Sequence, residues 1–133
     1  MSQGLLLVLG NLKKWNPQEA HVASPAPDDL RRYLQLRNIC CMAKVCAARM
    51  NREGPQRTIN YERQLYRSQA SEAVALARDI TDAIYRTSSM YYLIDLFMGA
   101  RDEAYARALF ATMDAGPMRE RALKLYPKLR TPN

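Results

Sequence analysis

The sequence predicts an all-α protein: a single-domain helical bundle or short α-α superhelix of about five helices, preceded by an extended N-terminal arm. Three observations predict it. From residue 30 to residue 126, apolar side chains recur at steps of three and four, the spacing that gathers them on one face of a helix. No stretch alternates Val, Ile and Thr with polar residues, and no Asn-Gly or Asp-Gly pair marks a hairpin. Gly, Pro and Ser/Thr clusters fall between the periodic stretches and punctuate them. A chain of 133 residues is the size of one domain, here an arm over residues 1–27 and a helical domain over residues 28–133.

The arm combines two compositions. Residues 5–9 read Leu-Leu-Leu-Val-Leu, followed by Leu12 and by Trp15, the one tryptophan of the chain. Next comes NPQEAHVASPAP, whose three prolines and small residues predict an extended, irregular course. The apolar residues are expected to dock, either on the protein's own helices or on a partner, with Trp15 as anchor. The cations Lys13 and Lys14 follow the apolar run rather than precede it, so the segment does not read as a secretory signal.

The first helix is predicted to start after Pro27, with Asp28 or Asp29 as its cap. Leu36, Ile39, Cys40, Ala43, Cys46, Ala47 and Met50 form its inner stripe, and Gly54-Pro55 ends it. The second helix is predicted over residues 60–87. Its stripe runs through Tyr66, Ala70, Ala73, Ala77, Ile80 and Ile84, and its small residues let a neighbouring helix approach closely. Thr87, Ser88 and Ser89 read as the next break and cap. A third helix over residues 89–98 places Met90, Leu93, Ile94 and Phe97 on one face. The turn at residues 99–102 leads to a fourth over residues 103–114, capped by Asp102 and burying Ala106, Leu109, Phe110 and Met113. After Gly116-Pro117 a short fifth helix carries Met118, Ala122, Leu125 and Tyr126.

Residues 87–120 resemble a single tetratricopeptide-type hairpin. Leu93 is followed by Phe97 four residues on, by the small Ala106 nine further, and by Phe110 four after that, with Pro117 near the closing proline. Ile94 and Met113 stand where that family prefers small residues, and no second copy lies 33 or 34 residues upstream. The resemblance implies a groove that takes an extended or helical peptide. Leu65-Tyr66-Arg67 also matches the tripeptide of the Leu-Tyr-Arg family of small basic mitochondrial helical proteins, although here a helix and an arm precede it.

No catalytic set is apparent. His21 lacks a Ser or Cys partner in a nucleophile motif, and the five glycines are scattered, with no phosphate-binding loop. The carboxylates Asp79, Asp82, Asp95, Asp102 and Glu103 are the acid–base candidates. Asp79 and Asp82 are predicted to share a face of the second helix, with Asp82 paired to Arg86. Cys40, Cys41 and Cys46 diverge around one helix and match no zinc spacing. Free thiols, no metal, no cofactor and no enzyme activity are expected. Reduced cysteines point to an intracellular reducing compartment, the cytoplasm first and an organelle matrix second. No apolar run is long enough to span a membrane.

The net charge is +7, from 20 Lys and Arg against 13 Asp and Glu, which suits an anionic partner. Candidate partner-binding residues are Trp15, Arg31, Arg32, Arg119, Arg121, Lys124 and Tyr126. Seven methionines and eight tyrosines add side chains that adapt well to protein surfaces. The composition therefore points to a small basic interaction protein that docks other polypeptides as an adaptor, chaperone or structural subunit. The alternative is a helical protein that grips nucleic acid through its charge.

Overall fold

A computed structural model describes residues 28–130. The arm, with Trp15 and His21, and the last three residues lie outside them. The described residues form five α-helices and no strand. Helix α1 is Asp29–Met50, α2 Gln56–Asp79, α3 Ala83–Gly99, α4 Glu103–Thr112 and α5 Pro117–Leu125, followed by a 3₁₀ turn over Pro127–Arg130.

Cross-helix contacts give the directions. Arg49 pairs with Glu62 and Cys46 meets Gln69, so α1 and α2 are antiparallel. Phe97 stacks near Tyr105 while Arg86 reaches Asp114, so α3 and α4 are antiparallel. Tyr33 meets Tyr85 and Lys44 meets Asp95, so α1 and α3 run parallel. Arg121 meets Tyr91 and Tyr126 meets Asp95, so α5 runs parallel to α3. Two antiparallel hairpins thus follow one another, with α1, α3 and α5 aligned in the same direction.

The core is the expected one for most of its length. Leu36, Cys40, Ala43, Ala70, Ala73, Ala77, Leu93, Ile94, Phe97, Ala106 and Leu109 are all buried. Ala73, Ala77 and Ala106 have no exposed surface, as close helix approach requires of small side chains.

The second helix departs from the expectation. It ends at Asp79, and the next begins at Ala83. The break therefore falls at residues 80–82, and the chain runs helical through Thr87, Ser88 and Ser89. Two bonds explain this. Thr87 and Ser89 donate their hydroxyls to the carbonyls of Ala83 and Tyr85, four residues back, at 2.8 and 2.7 Å. Hydroxyls satisfied in that way sit inside a helix instead of capping one. At the true break, Asp82 accepts a hydrogen bond from the Tyr85 N–H at 3.0 Å and caps α3. Asp79 and Asp82 accordingly share no helix face, and Ile84 lies exposed rather than on a buried stripe.

Two other expected caps are used differently. Asp28 and Asp102 occupy N-cap positions without a side-chain cap bond. Asp28 pairs with Arg31, and Asp102 accepts the Tyr66 hydroxyl at 2.8 Å. At the α3–α4 turn, Asp102 N–H reaches Phe97 O at 2.8 Å and Arg101 N–H reaches Met98 O at 3.2 Å. This is the bonding of a Schellman end. Its left-handed residue is Arg101, at φ 65°, a position where glycine is the usual occupant.

Candidate functional site

The alignment of α1, α3 and α5 collects aromatic and cationic side chains on one face. Tyr33 of α1 lies 5.4 Å from Tyr85 and 6.2 Å from Tyr92 of α3, ring centre to ring centre. Tyr91 meets Tyr92 edge to face at 5.6 Å. Arg37, one turn along α1 from Tyr33, places its guanidinium 5.9 Å from the Tyr33 ring and 5.8 Å from the Tyr92 ring. From the other side, Arg121 of α5 lies 5.1 Å from the Tyr91 ring. The tyrosines are buried or half-buried, whereas both arginines are exposed. Burial raises the Tyr92 hydroxyl above its ordinary value, and its bond to Tyr33 adds to this, while Arg37 and Arg121 act against it.

Among the described residues, neither Arg37 nor Arg121 is in an ion pair. Lys124, exposed one turn beyond Arg121, is likewise unpaired there. Cations set against ring faces and facing solvent without a carboxylate present a surface ready for an anionic group.

The expected partner-binding residues divide. Arg121 and Lys124 belong to this face. Arg31 and Arg32 are engaged by Asp28 and Asp29. Arg119 and Tyr126 are half-buried and bonded within the fold. Arg119 donates to the carbonyls of Phe110 and Met113, at 2.5 and 3.0 Å, and its guanidinium sits 4.0 Å from the Phe110 ring centre. It satisfies the open carbonyl end of α4. Tyr126 donates its hydroxyl to Asp95, which also holds Lys44 at 2.7 Å. Sequence reasoning missed Tyr33, Tyr85 and Tyr92. Their spacing within α1 and α3 was readable, but the pairing of those helices was not.

The carboxylates serve structure at almost every position. Asp82 caps α3, Asp95 and Asp102 each accept a tyrosine hydroxyl, and Glu103 pairs with Arg107 and Lys128. Asp79 is exposed at the last turn of α2. All three cysteines are free, with Cys40 and Cys46 buried and Cys41 exposed. Burial, with Cys41 and Asp95 nearby, pushes the Cys40 thiol up to about 12, which keeps it protonated at neutral pH. Among the described residues, no His, Cys, Asp or Glu cluster has the geometry to hold a metal ion, and no helix is long and apolar enough to cross a membrane. No protein-family model matches the chain, and no curated protein or solved structure matches it either.

Proposed function

We propose that this chain is a non-enzymatic interaction protein that docks an acidic polypeptide segment on the aligned face of α1, α3 and α5. One observation carries the reading: the Tyr33–Tyr85–Tyr92 cluster, extended by Tyr91, carries Arg37 and Arg121, two exposed cations with no carboxylate partner among the described residues. Tyr and Arg are enriched among the residues that carry most of the binding energy at protein interfaces, because each brings a large contact area and a polar tip. The net charge of +7 steers an acidic segment toward such a face. The tetratricopeptide-type spacing of Leu93, Phe97, Ala106 and Phe110 supports the same reading, since that resemblance implies a peptide groove. An adaptor, chaperone or assembly subunit would all use the protein in this way.

Half-buried rings beside arginines also favour a second reading, single-stranded nucleic acid stacked on the tyrosines. The test sets the two against each other. A labelled peptide rich in Glu and Leu and a labelled oligouridylate are titrated separately against the wild type and the Arg37→Glu/Arg121→Glu double variant. The proposal expects the peptide to bind the wild type and to bind the variant at least about tenfold more weakly, with thermal melts unchanged. Peptide binding that is absent, or equal in both proteins, overturns it. Oligouridylate binding that is lost in the variant while the peptide never binds assigns the face to nucleic acid.

A further inference from the structure

Helix α1 is apolar on two opposite sides. Its inner side carries Leu36, Ile39, Cys40, Ala43 and Ala47, all buried. Its outer side carries Leu30, Leu34 and Val45 at 48%, 43% and 50% exposure, with Cys41 exposed among them and Met42 beside the stripe at 54%. At about 100° per residue, Leu30, Leu34, Cys41 and Val45 fall within a single narrow stripe. This is the profile of an internal helix in a stack. Yet α1 is the first helix of the described residues, with α2 and α3 packed on its other side. End elements of stacked helical hairpins ordinarily present a polar outer face, so the stripe has the character of a covered surface.

We propose that the outer stripe of α1 is covered by the chain's own N-terminal segment, residues 5–15, folded back in cis as the cap of the stack. Leu30, the first residue of the stripe, lies only two positions after Asp28, the point where the described residues begin. Residues 16–27 connect it to Trp15 and can span up to about 40 Å when extended. Helix α1, with 22 residues, is about 33 Å long, so Trp15 can reach any point along the stripe. Residues 5–9, Leu12 and Trp15 supply the apolar side chains that match it. Charge argues against a second copy of α1 as the occupant. That helix carries Arg31, Arg32, Arg37, Lys44 and Arg49 against the lone carboxylate of Asp29, and pairing it with itself sets like charges together. Residues 5–15 bring only Lys13 and Lys14.

The full chain carries its own probes. Trp15 is the only tryptophan, so its emission reports its burial. Cys41 lies in the stripe and is the exposed cysteine, so its labelling by a thiol reagent, located by peptide mass, reports cover. Two variants are compared with the wild type: Leu9→Glu in the arm, which leaves the helical domain intact, and Leu34→Glu/Val45→Glu on the stripe. The expected result is blue-shifted Trp15 emission in the wild type and a red shift in both variants. Cys41 labelling should speed up by about tenfold or more in Leu9→Glu, and none of these readings should depend on protein concentration. Wild-type emission equal to that in urea, with Cys41 labelled as fast as in Leu9→Glu, overturns the proposal and leaves the stripe to a foreign partner. Protection that grows with protein concentration, together with dimer mass in sedimentation, also overturns it and assigns the stripe to a second copy.

Discussion

Asp29 and Thr81, far apart in the chain, are joined by two hydrogen bonds to one buried carboxylate. The Asp29 carboxylate is fully buried at the start of α1. It accepts the Thr81 N–H at 3.2 Å, the Thr81 hydroxyl at 3.0 Å and the Asp82 N–H at 2.9 Å, with Arg32 at 3.3 Å. One carboxylate thereby fixes the turn between α2 and α3 against the beginning of α1. Asp82, positioned by that bond, then caps α3. The break at residues 80–82 is therefore made by a residue on another helix.

Replacing Asp29 with Ala should cost about 2–4 kcal/mol, since three donors and a cation lose a buried acceptor. The contribution also depends on pH. Burial acts to raise the Asp29 carboxyl, but the bonds from Asp82 and Thr81 and the charge of Arg32 outweigh it, and the net shift is downward. A lowered folded value stabilises the fold above the ordinary carboxylate range and is lost as pH falls through the folded value. Urea unfolding at a series of pH values should therefore show wild type and Asp29→Asn converging below about pH 4. A constant difference across the series would refute the assignment.

Arg119 and Arg121, two residues apart on α5, should behave oppositely. Arg119→Glu removes the bonds to Phe110 O and Met113 O and places a carboxylate at the negative end of α4, at a cost of about 1–3 kcal/mol. Arg121→Glu should change stability by less than about 0.5 kcal/mol. Thermal melts of the two single variants check this, and equal melts would contradict the placement of Arg119.

The core should be intolerant in both directions. Ala106 has no exposed surface and Phe97 almost none. Ala106→Leu should overpack the α3–α4 contact and cost about 1–3 kcal/mol. Phe97→Ala should leave a cavity and cost about 3–5 kcal/mol. Chemical denaturation with unchanged slope measures both, and wild-type midpoints for either variant would be incompatible with the packing.

Tyr66 should resist alkaline titration. It is buried and donates to Asp102. Burial, and then the Asp102 charge, raise its hydroxyl far above the usual range. A raised folded value contributes stability that is complete below the ordinary tyrosine range near pH 10 and is lost as pH rises toward the folded value. Ultraviolet titration should show Tyr66 ionising only as the protein unfolds, and Tyr66→Phe should remove that component from the unfolding step. Ionisation of Tyr66 in the folded protein near pH 10 would rule this out.

The sequence alone determined the helical class, the inner stripes of α1, α3 and α4, and the small residues at the close approaches. It did so because helical burial follows a local period, and Leu36, Ala43, Leu93, Phe97 and Ala106 obey it within their own segments. Tertiary structure decided where α2 stops. Thr87 and Ser89 have the composition of a break, but their hydroxyls bond back to the preceding turn, while Asp29 captures the N–H groups of Thr81 and Asp82. It also decided which cations are held within the described fold. Arg119 and Arg121 look alike in sequence, and only the open end of α4 beneath Arg119 and the Tyr91 ring beneath Arg121 separate a structural arginine from one facing solvent. The tyrosine face was invisible for the same reason: Tyr33, Tyr85 and Tyr92 meet only because α1 and α3 pack parallel, and a period within one helix carries no information about which helix lies beside it.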